Sequence, residues 1–342
     1  MLCNPCSLSP SVSIDELTAF GGLSISNVPE TPMEQVRRFF RGMSGSDILE
    51  YGLGFEKTDA PTLAKSTIVV VMDFEKFEFE PRCLTEYGLN TFTRKEMMPI
   101  LANPGPHGEN LLRNIYYYHI RVQESAHYVN RKWCPGNPEN NRFGITRFAT
   151  KQQAKDFLTS CIAWPVDETN PDGNKCLVIF LGHAVGNEIE MLQQELGVDP
   201  SVISNVVAII DTQDIAREKG IRGRGQKIGL GHLMDVCDVS FRDAHTAGND
   251  AAYTIIGALQ MVIEGKFPNS PNRTLQAVVD ALELYSRGVW PQVGVLNYCT
   301  RCGNFDHSRP QCYGRIKRCE RCLKSGHEKA AYTHITRLCT HP

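Results

Sequence analysis

No stretch of this 342-residue chain approaches the ~18 consecutive apolar residues of a membrane-crossing helix, so no membrane span is expected. The opening residues, MLCNPCSLSPSVS, have neither a basic start nor an apolar segment, so no secretory leader is expected. Charge of one sign is not in excess, since the net is −2. Charged residues make up 22% and hydrophobic residues 42%, which excludes a mainly disordered, collagen-like or coiled-coil chain. The expectation is therefore an intracellular globular protein, nuclear or cytoplasmic, with two domains or one domain and appendages.

What is present is unevenly distributed. From Cys299 to Pro342 there are nine Lys/Arg against three acids, a net of +6, while the preceding 27 basic and 35 acidic residues give −8. An acidic body with a basic tail suggests two jobs, with the tail meeting a polyanion. Six of the thirteen cysteines also lie in the tail. In a chain without a leader, clustered cysteines read as metal ligands sooner than as disulfides.

Residues 1–65 read as an extension, partly disordered, with one amphipathic helix at 34–43 and room for a protein partner. Cys3 and Cys6 form a CxxC, but no further ligands lie nearby. The body spans 66–290. TIVVVMDF (67–74) is a buried strand, and strands follow at 87–94, 114–122, 143–148, 175–181 and 206–211. Helical periodicity covers 151–163, 187–196, 228–236, 250–264 and 275–286, while CPGNPENN (134–141) is a loop. This order gives an α/β fold with a mixed sheet flanked by helices.

Four acidic positions and two histidines stand where such a sheet presents a site. Asp73 and Glu75 end the first strand, on one face by alternation. His183 and Glu188 follow a central strand, and His245 and Asp250 open a helix. Carboxylates are the ligands that Mg²⁺ or Mn²⁺ prefer. Two such ions, ~3.5–4 Å apart, clamp the attacking and leaving oxygens of a phosphodiester. A neutral histidine at the edge takes the proton of the attacking water.

At these residues the chain resembles the DEDDh group of 3′–5′ exonucleases, which have an RNase H-like fold. The phrases TEYGL (85–89), HIRVQESAH (119–127), RFGITRF (142–148) and AHTAGNDAAYT (244–254) resemble the fungal Gfd-two-type domain, itself similar to the exonuclease of the fungal quelling pathway. The resemblance covers roughly 66–266. It implies that Asp73 and Glu75 form the first motif, His245 is the general base and Asp250 is the last metal ligand. Glu188 stands where the family usually has Asp, and Ala184 where relatives often have Asn. The longer Glu188 side chain leaves two readings open. Either it reaches the second metal, or the domain binds nucleic acid and cuts slowly or not at all.

The tail, 297–342, carries Cys299-x2-Cys302-x4-His307-x4-Cys312, the ungapped spacing of a CCHC zinc knuckle. Three thiolates and one imidazole make a closed, structural Zn²⁺ site. Metal supplies most of the folding energy of so short a unit. Cys319-x2-Cys322-x4-His327 begins a second copy, but residue 332 is Tyr. His334-x4-Cys339 restores the ending, so either His327 or His334 completes a second site with Cys339. One or two zinc ions are expected. Knuckles bind single-stranded RNA or DNA by stacking bases and contacting phosphates. Phe305, Tyr313 and Tyr332 offer ring faces among Arg315, Lys317, Arg318 and Arg321.

Overall fold

The computed structural model describes residues 30–223, 225, 227–267, 272–288, 293–313 and 318–339. Cys3, Cys6, Arg315 and Lys317 lie outside the described residues. The elements, in order, begin with helices α1 (Pro32–Arg41) and α2 (Gly45–Gly52) and strands β1 (Thr67–Lys76) and β2 (Leu84–Thr93). Two short helices follow, α3 (Arg94–Met97) and α4 (Glu109–Arg113), then β3 (Tyr116–Val122) and β4 (Ile145–Ala149). Next come α5 (Lys151–Ile162), β5 (Leu177–Gly182), α6 (Val185–Met191) and β6 (Val206–Asp211). The chain continues with α7 (Thr212–Glu218), α8 (Leu230–Val236), α9 (Ala247–Ile263) and α10 (Leu275–Tyr285). Two short helices lie in the tail, α11 (Glu320–Lys324) and α12 (Glu328–Ala331).

The strands form one six-stranded sheet in the order β4-β3-β2-β1-β5-β6. β1 pairs antiparallel with β2 and parallel with β5, so the sheet is mixed. Alternation along β1 divides its side chains between two cores. Val69 and Val71 pack with α9, while Ile68, Val70, Met72 and Phe74 pack with α5 and α6. Asp73 and Glu75 continue the α9 side.

Helix α9 is apolar nearly all round, as a helix must be when the sheet lies beneath it and α2, α7 and α8 cover its other side. Its approach to the sheet depends on Gly88, the β-partner of Asp73. A Cβ at that position would stand 2.0 Å from the carbonyl oxygen of Ala247. Only glycine lets the start of α9 press against the strand that carries the acidic pair.

Two expectations need correction. Residues 32–65 hold two helices where one was expected, and both pack into the body. Val36, Phe40, Ile48, Leu49, Tyr51 and Leu53 join the α9-side core, and full burial of such side chains contributes ~1.5–3 kcal/mol each. The guanidinium of Arg94 lies 4.0 Å from the centre of the Tyr51 ring, and Glu218 accepts hydrogen bonds from the Gly45 and Ser46 amides at 2.9 Å. The expected helix at 187–196 is α6 followed by a wider, π-type turn over Leu192–Leu196.

Candidate active site

Asp73, Glu75, Glu188, His245 and Asp250 all line one cleft of about 1020 Å³, together with His183. Three elements supply them: the end of β1, the first turn of α6, and the start of α9. Ligand atoms of Glu75, His245 and Asp250 lie within 4.8 Å of one another. The carboxylate of Asp250 accepts the backbone N–H of His245 at 3.0 Å, and His245 Nδ1 stands 3.7 Å from Glu75. His245 has φ +57°, a left-handed conformation that costs a non-glycine residue energy and recurs at functional sites. The loop opposite is fitted to it. A Cβ on Gly136 would meet the His245 carbonyl oxygen at 2.0 Å.

The electrostatics are those of anions forced together. Burial, then the charges of Glu188, Asp250 and Glu75, hold Asp73 well above the usual carboxylate range. Burial also pushes Glu188 and Asp250 up to about 8, with neighbouring carboxylates adding to it. Burial likewise raises Glu75, although His245 opposes the shift. Asp73 Oδ2 and Asp250 Oδ1 are buried without a hydrogen-bond partner. Unpartnered, mutually repelling oxygen donors are what a hard divalent cation satisfies, so the residues fit that ion class. The neighbouring Glu75 carboxylate raises the proton affinity of His245, whose side chain is 43% exposed to the cleft.

Glu188 Oε2 accepts the Phe74 N–H at 2.8 Å, so the longer side chain spans to β1 and retains a second oxygen. Ala184 has φ +57°, a region that Asn tolerates better than Ala. The turn is held by Asp211, which accepts the amides of Ala184 and Val185 at 3.1 Å each. Sequence reading passed over Asp211, although it ends a strand as Asp73 nearly does. His183 Nδ1 meets the Thr212 hydroxyl at 2.6 Å, and burial lowers its pKa. A second polar assembly went unnoticed behind the site. Glu86 accepts the Ala247 N–H at 3.0 Å and lies 3.2 Å from His119 Nε2. Burial alone would raise Glu86, but His119 and Arg121 outweigh it and hold the carboxyl below its ordinary range.

The tail contains two clusters. Ligand atoms of Cys299, Cys302, His307 and Cys312 lie within 4.8 Å of one another, as do those of Cys319, Cys322, His334 and Cys339. The geometry thus selects His334 over His327. In the second cluster Cys322 Sγ is 3.6 Å from Cys339 Sγ and 3.7 Å from His334 Nε2. Edges near these lengths follow from tetrahedral Zn–S arms of about 2.3 Å. Each histidine is oriented from behind: Asp306 holds His307 Nδ1 at 2.6 Å, and Thr333 lies 2.9 Å from His334 Nδ1. His327 is exposed and precedes α12. The tail rests on the body, with the His334 and His127 rings 4.2 Å apart and Tyr298 packed on Phe148 at 5.4 Å. Among the described residues no helix is long and apolar enough to cross a membrane.

Parts of this chain are similar to known proteins. The fission-yeast (Schizosaccharomyces pombe) "uncharacterized nucleolar protein C2C4.08" is 27% identical over 54% of this chain and 65% of its own length. The Saccharomyces cerevisiae "Good for full DBP5 activity protein 2" is 24% identical over 56% of this chain and 35% of its own length. The chain thus spans less than two thirds of these relatives. Among solved structures, a zinc-bound Escherichia coli ExoI–ssDNA complex has 13% identity and a TM-score of 0.35, covering 58% of this chain and 41% of that one. The profile of the DEDDh_C family, described as "DNA polymerase III subunit epsilon-like, C-terminal domain", matches residues 68–261, more than half the sequence, and the chain belongs to that family.

Proposed function

We propose that the protein is a metal-dependent 3′–5′ exonuclease acting on RNA or DNA, with a zinc-bearing tail that binds the strand. The observation that carries this reading is the convergence of four raised carboxylates and His245 in one cleft. Asp73, Glu75, Glu188 and Asp250 would hold two Mg²⁺ or Mn²⁺ ions, which supply charge neutralisation at the attacking and leaving oxygens. His245, partly exposed beside Glu75, accepts the proton of the attacking water. The Asp250 carboxylate and the Gly136 loop hold the His245 backbone from which the imidazole projects. The two tail clusters would hold one structural Zn²⁺ ion each. The nucleolar name of the fission-yeast relative supports a nuclear location.

A binding protein that retains the fold but cuts slowly draws on one observation. One oxygen of Glu188 is already engaged by the Phe74 amide. The test is degradation of a 5′-labelled single strand, RNA and DNA in parallel, with Mg²⁺, Mn²⁺ or neither. A ladder shortening from the 3′ end in wild type and absent in Asp73→Asn supports the exonuclease. Equal inertness of both under every metal establishes the binding protein.

A further inference from the structure

A second groove, of about 1210 Å³, runs between the body and the zinc tail. One wall is the Phe77–Glu80 turn and the loop carrying Arg131 and Lys132. The other includes Arg309, Lys329 and Tyr332 of the tail. The groove is continuous with the catalytic cleft, because Phe77 and Glu78 line both. Trp133 stands at the junction. It lines the catalytic cleft, yet is 67% exposed, an unusual state for the most costly side chain to leave in water.

The loop is built to hold this position. Glu78 accepts the amides of Arg131, Lys132 and Trp133 at 2.6–2.9 Å, and Asn130 is tied to Lys76 and Glu78. Lys132 Nζ lies 4.4 Å from the Trp133 ring centre, which leaves the other ring face open. Two of the groove's four acids, Glu78 and Glu139, are engaged internally, Glu80 lies 3.6 Å from exposed Arg82, and Glu328 is exposed on the tail wall. Glu78 is saturated by the three amides, and Glu139 pairs with buried Arg121 at 2.6 Å. The basic groups have less compensation. Arg309 is held below its usual range by burial and by the like charges of Arg301, Arg121 and Arg131, with Glu139 opposing. Crowded guanidinium groups beside an open aromatic face match the alternating phosphates and bases of one strand.

We infer that this composite groove is the track of a single nucleic-acid strand, with Trp133 stacking a base at the entrance to the cleft and Arg131, Arg309 and Lys329 contacting phosphates behind it. The inference rests on the proposed function for its direction, since the strand's 3′ end would enter the cleft. The zinc modules, on this view, form one wall of the track instead of a separate tether.

The test uses the full zinc-loaded chain with Asp73→Asn, in buffer without chelator, and 5′-fluorescein oligo(U) and oligo(dT) of about twelve and about three nucleotides. Trp133→Ala is expected to weaken binding of the longer probes about tenfold. Arg131→Glu with Lys329→Glu should reduce it similarly and flatten the log–log salt slope by ~0.7 per lost phosphate contact. The charge-reversal loss should be larger for the longer probes than for the shorter, while Trp133→Ala, acting at the cleft entrance, should weaken both. All three side chains are exposed, and zinc content with circular dichroism verifies that the variants fold. Unchanged affinity for the longer probes in both variants overturns the track, as does equal loss at both lengths in the charge-reversed variant. The outcomes separate from those of the catalytic reading. A protein that never hydrolyses yet shows the length-dependent loss keeps the track, and one that hydrolyses without that loss keeps only the cleft.

Discussion

The cleft and the tail both gather anionic ligands around a point, but they do so by opposite means. In the tail, short spacing does the work: each set of four candidate ligands lies within one brief segment, and a bound ion would supply the folding energy. In the cleft, the carboxylates come from β1, α6 and α9, and the sheet core holds them together against their own repulsion. The first arrangement is a metal site that makes structure, and the second is structure that makes a metal site. Removing metal should therefore unfold the tail clusters and leave the cleft standing under strain.

The largest expected effect breaks the cleft. Asp73→Asn should abolish hydrolysis, on the order of 10³-fold or more, in a labelled-strand assay. The same variant should raise the melting temperature of protein free of Mg²⁺ and Mn²⁺ by a few degrees, because one repelling carboxylate is gone. A lowered melting temperature would show that Asp73 supports the fold. His245→Ala should slow turnover by ~10²–10⁴ while leaving divalent-ion affinity close to wild type.

The next prediction sharpens the tail. Metal analysis of the full chain should return two zinc ions; His334→Ala should lose one of them and His327→Ala neither. Loss on His327→Ala instead would overturn the ligand set of the second cluster. The smallest effect concerns pH. Glu188 and Asp250 have ordinary values of 4.5 and 3.8 but sit at about 8 in the folded protein. The folded state then binds more protons than the unfolded state between those limits, so stability falls as pH rises through the window. Thermal unfolding from pH 6 to 9 without Mg²⁺ should show a decline of a few degrees, and saturating Mg²⁺ should remove most of it. A rising or flat profile without Mg²⁺ would contradict the packing of the carboxylates.

Legibility in the sequence followed the same division. The strands could be read because β-branched runs such as TIVVVMDF are buried on both faces, and the first zinc set because its spacing is local. The choice between His327 and His334 could not be read, since it depends on how α12 turns the chain. The role of 32–65 was hidden for a related reason. α1 and α2 are short, and their apolar residues find partners only once β1, α7 and α9 are assembled. Asp211 and the Glu86–His119 pair escaped notice because buried polar partners carry no periodicity. The acidic motifs were visible as separate signals, and only the sheet order shows them converging.

The glycine at position 88 carries a consequence for how this sequence can drift. At 88 the α9 backbone occupies the space a methyl group would fill. A library randomised at position 88 and selected for strand degradation should return glycine alone. A narrow point in the protein's heredity is thus a residue with no side chain, one strand away from the chemistry.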